Sequence, residues 1–264
     1  MYINRVKQSL KQGGTEFGCS VLQLGTPDVM RAIAAAGLDW VFLDSEHGPF
    51  DLETLHDMMR VAVPAGLCPI VRVADLQYPL IARALDSGAQ GVLLPRVESP
   101  ELLEKAVSWT RYPPMGVRGY GLGGPHLGYE AVSIGQAIAH FNEHVMVVLQ
   151  IETRTALDRL DDLLAVPHID AVLVGPADLS VSLGVPGQFD APAFVAAVEK
   201  VRDACNARGI APGMHMRSVA MAREWLARGL RFVSCQNDIG LLFDKVAEVV
   251  KALHAARGVT APGT

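Results

Sequence analysis

Two carboxylates stand just beyond two apolar runs of this chain. Glu152 follows the run 145–151, and Asp178 lies four residues past the run 171–174. An acidic amphipathic segment, 155–164, separates the runs, so the stretch reads as strand, helix, strand with an acid near each strand end. In parallel α/β sheets, ligands bind beyond the carboxyl ends of the strands. Two acids delivered there suit a hard divalent cation such as Mg²⁺ or Mn²⁺, which takes oxygen ligands and leaves the remaining positions to water and substrate. The same acids could instead cap the following helices or pair with arginines. Gln150 lies two residues before Glu152 and therefore on the same face of the strand.

Other strand ends carry matching chemistry. His47 follows the run 40–44 inside Ser45-Glu46-His47-Gly48-Pro49, where it could serve as a general base near neutral pH or simply be a solvated histidine. Arg72 sits inside the apolar run PIVRV and needs an anion: Glu152 or Asp178 as a structural partner, or a substrate carboxylate or enolate oxygen. Asp44, Glu46, Arg96, Glu98, His215, Gln236, Asn237 and Asp238 complete the strand-end set.

These positions imply a scaffold. Apolar runs at 17–24, 40–44, 69–73, 91–97, 145–151, 171–174, 210–215 and 231–235 alternate with helical patterns. Those patterns include 27–36 behind Thr26-Pro27, 51–65, 79–86, 100–110 behind Ser99, 133–141, 193–208, 218–228 and 238–256. A short helix at 4–12 precedes the series. Strand–helix alternation implies parallel pairing, and eight units in a chain of 264 residues fit one closed (β/α)₈ TIM barrel. An open doubly wound sheet is the other arrangement, but no GxGxxG follows the first strand. The rhythm breaks once, at 111–130, which holds six glycines and three prolines. The tail 257–264 is expected to fray.

Composition narrows the class. Half the residues are hydrophobic, 19% are charged and the net charge is −5, which supplies a large core and no basic face for nucleic acid or an anionic membrane. The four cysteines are widely spaced, with no CxxC pair, so neither disulfides nor a thiolate metal cluster is expected. The polar amino terminus lacks a signal-peptide core and no apolar run reaches membrane-span length, so a soluble, cytoplasmic location is expected. Lysines occur only at 7, 11, 105, 200, 245 and 251, all on helical patterns. That argues against a Schiff-base aldolase, which needs a buried strand lysine.

With these residues in place, the chain resembles the metal-dependent (class II) pyruvate aldolases of the HpcH/HpaI aldolase and citrate lyase superfamily. The segments that carry the resemblance are VFLDSEHGPFD (41–51), PIVRV (69–73), LDSGAQGVLLPRV (85–97), YPPMGVRGYG (112–121), VLQIET (148–153) and VGPADLS (174–180). The resemblance covers about 17–253. It implies that Glu152 and Asp178 hold the metal (Mg²⁺, Mn²⁺ or Co²⁺), that His47 is the base, and that Asp86 raises its basicity. It also implies that Arg72 stabilises the pyruvate enolate, that Gln150 and the Ala177–Asp178 backbone contact the 2-oxo acid, and that Asp44 supports the site through water. The implied reaction is reversible cleavage of a 4-hydroxy-2-oxo acid to pyruvate and an aldehyde. The alternative within the superfamily is a CoA-thioester lyase of the citrate lyase branch. The resemblance further implies a homohexamer, a dimer of trimers that exchanges its last helix between neighbours, with loop 111–130 closing an adjacent subunit's active site. Gln236 departs from the pattern, since family members more often carry a smaller residue there.

Overall fold

A computed structural model describes residues 1–123 and 126–257. Among them, eight parallel strands close into one barrel in chain order, which excludes the open sheet. The strands are β1 (Glu16–Val21), β2 (Trp40–Asp44), β3 (Cys68–Arg72), β4 (Gly91–Leu94), β5 (Met146–Ile151), β6 (Ala171–Val174), β7 (Ala211–Met216) and β8 (Phe232–Asn237). The helices are α1 (Arg5–Lys11), α2 (Pro27–Ala35), α3 (Leu52–Ala62), α4 (Tyr78–Asp86), α5 (Pro100–Ser108), α6 (Ile134–His144), α7 (Arg154–Asp158), α8 (Leu160–Leu164), α9 (Pro176–Ser182), α10 (Pro192–Asn206), α11 (Val219–Ala227) and α12 (Asp238–Ala256).

Both faces of these strands are covered, which is why they read as continuous apolar runs rather than as alternating ones. The period of two still sorts them. Val41, Leu43, Val71, Val147 and Leu149 belong to the core shared with the helices. Their alternates Trp40, Phe42, Cys68, Ile70, Met146, Val148, Ala211 and Phe232 form a second cluster inside the barrel. Trp40 stacks on Phe232 at 3.8 Å. Gly18 makes room for that pair, since a Cβ there would fall 2.5 Å from the indole. Further along the same inward rows come Asp44, Arg72, Gln150, His215 and Ser234.

The amino-terminal end of the barrel is plugged. Val6 and Leu10 of α1 join the interior cluster. Lys7 Nζ donates to Val145 O (2.8 Å) and faces Asp170 Oδ1 (3.2 Å). Arg231 Nη1 donates to Leu10 O (3.0 Å). A cavity of about 550 Å³ opens at the opposite, carboxyl end of the strands.

Several boundaries differ from the sequence reading. β1 stops at Val21 rather than near residue 24. The N–H groups of Leu22, Gln23 and Leu24 turn to the buried Asp238 carboxylate (3.1, 3.0 and 2.7 Å), which pins the start of α12 over the β8–β1 seam. β4 stops at Leu94 because Pro95 has no N–H to give the ladder and Arg96 turns to φ 53°. The segment 155–164 is two helices, α7 and α8, broken at Arg159, whose guanidinium reaches aside to Glu98 O (3.3 Å). Asp178 lies in the first turn of α9, a helix absent from the sequence reading, with Gly175 as its N-cap. Thr26 stands at the N-cap of α2 without a side-chain bond, leaving Pro27 to fix that start. The tail 258–264 lies outside the described residues.

α12 differs most from a barrel helix. Its apolar residues project into solvent: Leu242 is 49% exposed, Phe243 70% and Leu253 62%. No helix among the described residues is long and apolar enough to cross a membrane.

Candidate active site

The cavity takes its floor and walls from strand ends. Asp44, Arg72, Gln150, His215 and Gln236 line it, together with His47 and the start of α9. The period-two rows that fill the barrel with Trp40, Phe42, Ile70 and Val148 thus deliver charged and amide groups once the strands reach solvent.

Asp44 and Arg72 are register partners on β2 and β3. Arg72 Nε donates to Asp44 Oδ1 (3.0 Å) and Nη2 to Oδ2, a two-pronged contact. Arg72 Nη1 is 3.3 Å from Glu46 Oε2, and its guanidinium lies over the Phe42 ring at 5.6 Å. Burial pushes the Asp44 carboxyl up, but Arg72 and the His47 and Glu46 N–H donors outweigh it and hold the group below the usual carboxylate range. Burial likewise opposes the Arg72 charge, while Asp44, Glu46 and Glu152 more than restore it. The partners of Arg72 are therefore Asp44 and Glu46, in place of the Glu152 or Asp178 pairing the sequence left open. Asp44 contacts Arg72 directly, in addition to the support through water that the resemblance implies.

Asp44 also builds the turn that carries the histidine. Its Oδ1 accepts from Glu46 N (3.0 Å) and His47 N (3.1 Å). The His47 side chain is 62% exposed, with Nε2 3.9 Å from Glu46 Oε2. Glu46 thus links Arg72 to His47. The sequence placed it among the strand-end residues without giving it a role, and its only signal was adjacency to His47.

Glu152 is buried. Its Oε1 accepts from Arg96 N (2.7 Å) and its Oε2 from Gln150 Nε2 (2.5 Å). Burial raises its pKa; the Arg96 N–H and the Arg72 charge oppose that, while the Glu46 and Asp178 carboxylates add to it. Asp178 lies on the exposed first turn of α9, beside the cavity. Among the described residues no group of three or more His, Cys, Asp or Glu converges as a metal site, so the protein's share would be these two carboxylates. The surroundings fit a hard cation. Negative charge is concentrated around a buried carboxylate, Gln150 Oε1 is buried without a partner, and Gly175 keeps the space bare. A Cβ at Gly175 would lie 2.7 Å from Glu152 Oε2 and 2.8 Å from Gln150 Nε2.

Asp86 is not brought to this rim. It closes α4, which runs back toward the amino-terminal end of the barrel. Four residues later, Gln90 N donates to Pro69 O at the entry of β3 (2.9 Å). His47, after β2, lies at the other end. Within one chain the two cannot meet, because a helix that follows a strand must reverse along the barrel. Loop 111–130 lies with Asp86: Arg118 Nη2 donates to Asp86 Oδ1 (2.7 Å) and Gly119 N to Tyr78 Oη (2.9 Å). Residues 124 and 125 of that loop are outside the described residues. None of the loop's described residues lines the cavity of its own chain.

Comparisons with known proteins bear on the fold and the family. The HpcH/HpaI aldolase/citrate lyase family model matches residues 21–244. The 2-keto-3-deoxy-L-rhamnonate aldolase of Escherichia coli (strain K12) is 35% identical over 241 residues, 91% of this chain and 90% of that protein. The crystal structure of an HpcH/HpaI aldolase from Desulfitobacterium hafniense DCB-2 superposes with a TM-score of 0.90 at 30% identity, over 100% of this chain and 99% of the other. The structure of the citrate synthase SbnG gives 0.84 at 30% identity, over 96% and 98%. The rim of carboxylates, arginine, glutamine and histidine thus sits on a barrel that these proteins share, and the chain belongs to the HpcH/HpaI aldolase/citrate lyase family and is a carbon–carbon lyase.

Proposed function

We propose that the chain is a pyruvate aldolase that reversibly cleaves a 4-hydroxy-2-oxo acid of the 2-keto-3-deoxy sugar acid type into pyruvate and an aldehyde. The observation that carries this reading is the convergence on one cavity of Arg72, fixed by Asp44, with Gln150 and Asp178, and with Glu152 buried directly behind Gln150. A cation–carboxylate arrangement of this kind suits a substrate whose reaction develops an oxyanion next to a carboxylate. The E. coli relative carries a 2-keto-3-deoxy acid in its name, which supports the same substrate class.

Glu152 and Asp178 would hold a divalent cation, of which Mg²⁺, Mn²⁺ and Co²⁺ all suit two carboxylates. When bound, it would supply Lewis-acid polarisation of the 2-oxo group. The chain's own residues do the rest. The backbone of Ala177–Asp178 belongs to the first turn of α9, whose N–H groups have no intrahelical partner and can meet the carboxylate of the 2-oxo acid. Gln150 Oε1 offers a buried acceptor to a donor entering the site. His47, directly or through water, takes the proton of the C4 hydroxyl. The C3–C4 bond then breaks, the aldehyde leaves and its former bonding pair becomes the pyruvate enolate. Arg72 stabilises the enolate oxygen, and protonation at C3 gives pyruvate.

The assembly belongs to the same proposal. A homohexamer that exchanges α12 would cover Leu242, Phe243 and Leu253, and would bring Asp86 and its loop to a neighbour's His47. We place this activity in the cytoplasm, with small molecules as its partners.

The test is a panel of 4-hydroxy-2-oxo acids with Mg²⁺ present, assayed for pyruvate release, with CoA thioesters alongside. Pyruvate release from the 2-keto-3-deoxy acids is expected. Turnover of the thioesters alone would move the chain to the citrate lyase branch.

A further inference from the structure

His215 has no task in the reaction above, yet it stands in the cavity. β7 sends Ala211 and Gly213 into the barrel and then His215. The imidazole is held on two sides. Its Nδ1 lies 2.8 Å from Oγ of Ser234, its register partner on β8. The Phe42 ring meets it edge-on at 5.4 Å. Nε2 is the polar atom left over, on a ring that lines the cavity. The ring is half-buried and opens to the cavity, so Nε2 is available to a ligand there.

Its place within the cavity narrows that partner. Phe42 carries the Arg72 guanidinium on one side and His215 on another, so His215 borders the reacting centre. It does so from the β7–β8 side, whereas Glu152 and Asp178 follow β5 and β6. On the aldolase reading the 2-oxo acid half is taken up at the carboxylates, which leaves the cavity wall after β7 and β8 to the half that departs as the aldehyde. A second oddity lies there. Gln236, two residues beyond Ser234, lines the cavity with φ 61°, a region costly for any residue with a Cβ. Its Nε2 donates to Asp244 Oδ2 (2.9 Å).

We propose that His215, seated on Ser234, determines specificity for the aldehyde half: its Nε2 hydrogen-bonds a hydroxyl carried by that half, so that hydroxyaldehydes are selected over alkyl aldehydes of the same size. This rests on the aldolase reading. The chemistry favours a hydroxyl over an anion. Burial, with Arg72 and Arg217 nearby, pulls the imidazole pKa down to about 4 against a weaker opposing pull from Asp44, so the ring is neutral. A neutral imidazole carries one ring hydrogen, and the Ser234 hydroxyl can either donate to Nδ1 or accept from it. Nε2 is a donor in the first case and an acceptor in the second. A hydroxyl meets both, whereas a carboxylate meets only one.

The experiment adds pyruvate to glycolaldehyde and to propanal, which differ by a hydroxyl in place of a methyl, using the full-length protein with Mg²⁺. The wild type is expected to favour glycolaldehyde in kcat/KM. His215→Leu should lower the glycolaldehyde-to-propanal ratio about tenfold, and His215→Asn, which keeps a hydrogen-bonding group, should retain part of it. Circular dichroism checks each fold. Should His215→Leu not fold, Ser234→Ala, which frees the ring, tests the same contact and should lower the ratio several-fold. A ratio within about twofold of wild type in the folded variant overturns the proposal, as does a wild type without preference. The aldolase reading fails separately: a wild type that does not exchange the methyl protons of pyruvate with solvent sinks that reading and this proposal together, whereas exchange with an unaltered ratio sinks this proposal alone.

Discussion

Arg72 and Asp44 face each other across adjacent strands, in register, with the guanidinium fork closed on the carboxylate. The contact fixes the arginine to which the proposed mechanism gives the enolate oxygen, and the same carboxylate ties down the turn bearing His47.

Asp44→Asn should therefore damage two things at once. It leaves a buried guanidinium short of an anion, a change that costs about 3 kcal/mol when one partner of a buried pair is removed. Urea unfolding should show that loss, and pyruvate proton exchange should fall with it. Arg72→Lys should not rescue exchange, because an ammonium cannot reproduce the two-pronged contact. Wild-type exchange in Arg72→Lys would remove the geometric role of the fork.

Removal of divalent cations with a chelator should abolish pyruvate release, and Mg²⁺, Mn²⁺ or Co²⁺ should restore it. A readout independent of turnover comes from titration calorimetry. Glu152→Gln should weaken Mn²⁺ binding at least tenfold, since it removes one of two charged ligands. Equal binding by wild type and variant would place the cation elsewhere.

The distance between Asp86 and His47 in one chain makes a subunit test possible. Asp86→Asn and His47→Ala should each be nearly inactive alone. Mixed subunits, unfolded and refolded together, should regain activity, because some sites would pair an intact Asp86 with an intact His47 from another chain. If the mixture stays as inactive as its parents, Asp86 does not act across a subunit boundary.

His215 also predicts a pH dependence of stability. Its folded pKa lies near 4, below the ordinary 6.5. The unfolded chain therefore takes up the proton first as pH falls. The stabilising contribution of the neutral ring is complete above about pH 6.5 and is lost as pH drops toward 4. Between pH 7 and 5 this site alone should remove about 2 kcal/mol. His215→Leu should show a correspondingly flatter decline over that window, measured by urea unfolding at each pH. Parallel curves for the two proteins would contradict the depressed pKa.

Much of this protein was legible in its sequence. Eight alternations of apolar run and amphipathic segment dictated parallel pairing, and their number in a chain of this length dictated closure. The acids, arginine and glutamine at strand ends were visible because strand residues alternate with a fixed period: whatever follows Phe42 or Ile70 by two must face the same interior. What the sequence could not supply was which side chains meet across strands. The partner of Arg72 is set by the register of β3 on β2, a property of the closed sheet rather than of either strand. Ser234 beneath His215 is the same kind of contact, made between residues nineteen positions apart. Asp86 shows the limit most clearly. The resemblance pairs it with His47, but within one chain the reversal of α4 carries it to the far end of the barrel. Local periodicity determines which face a residue takes; only the assembled barrel decides which end it reaches and what it touches there.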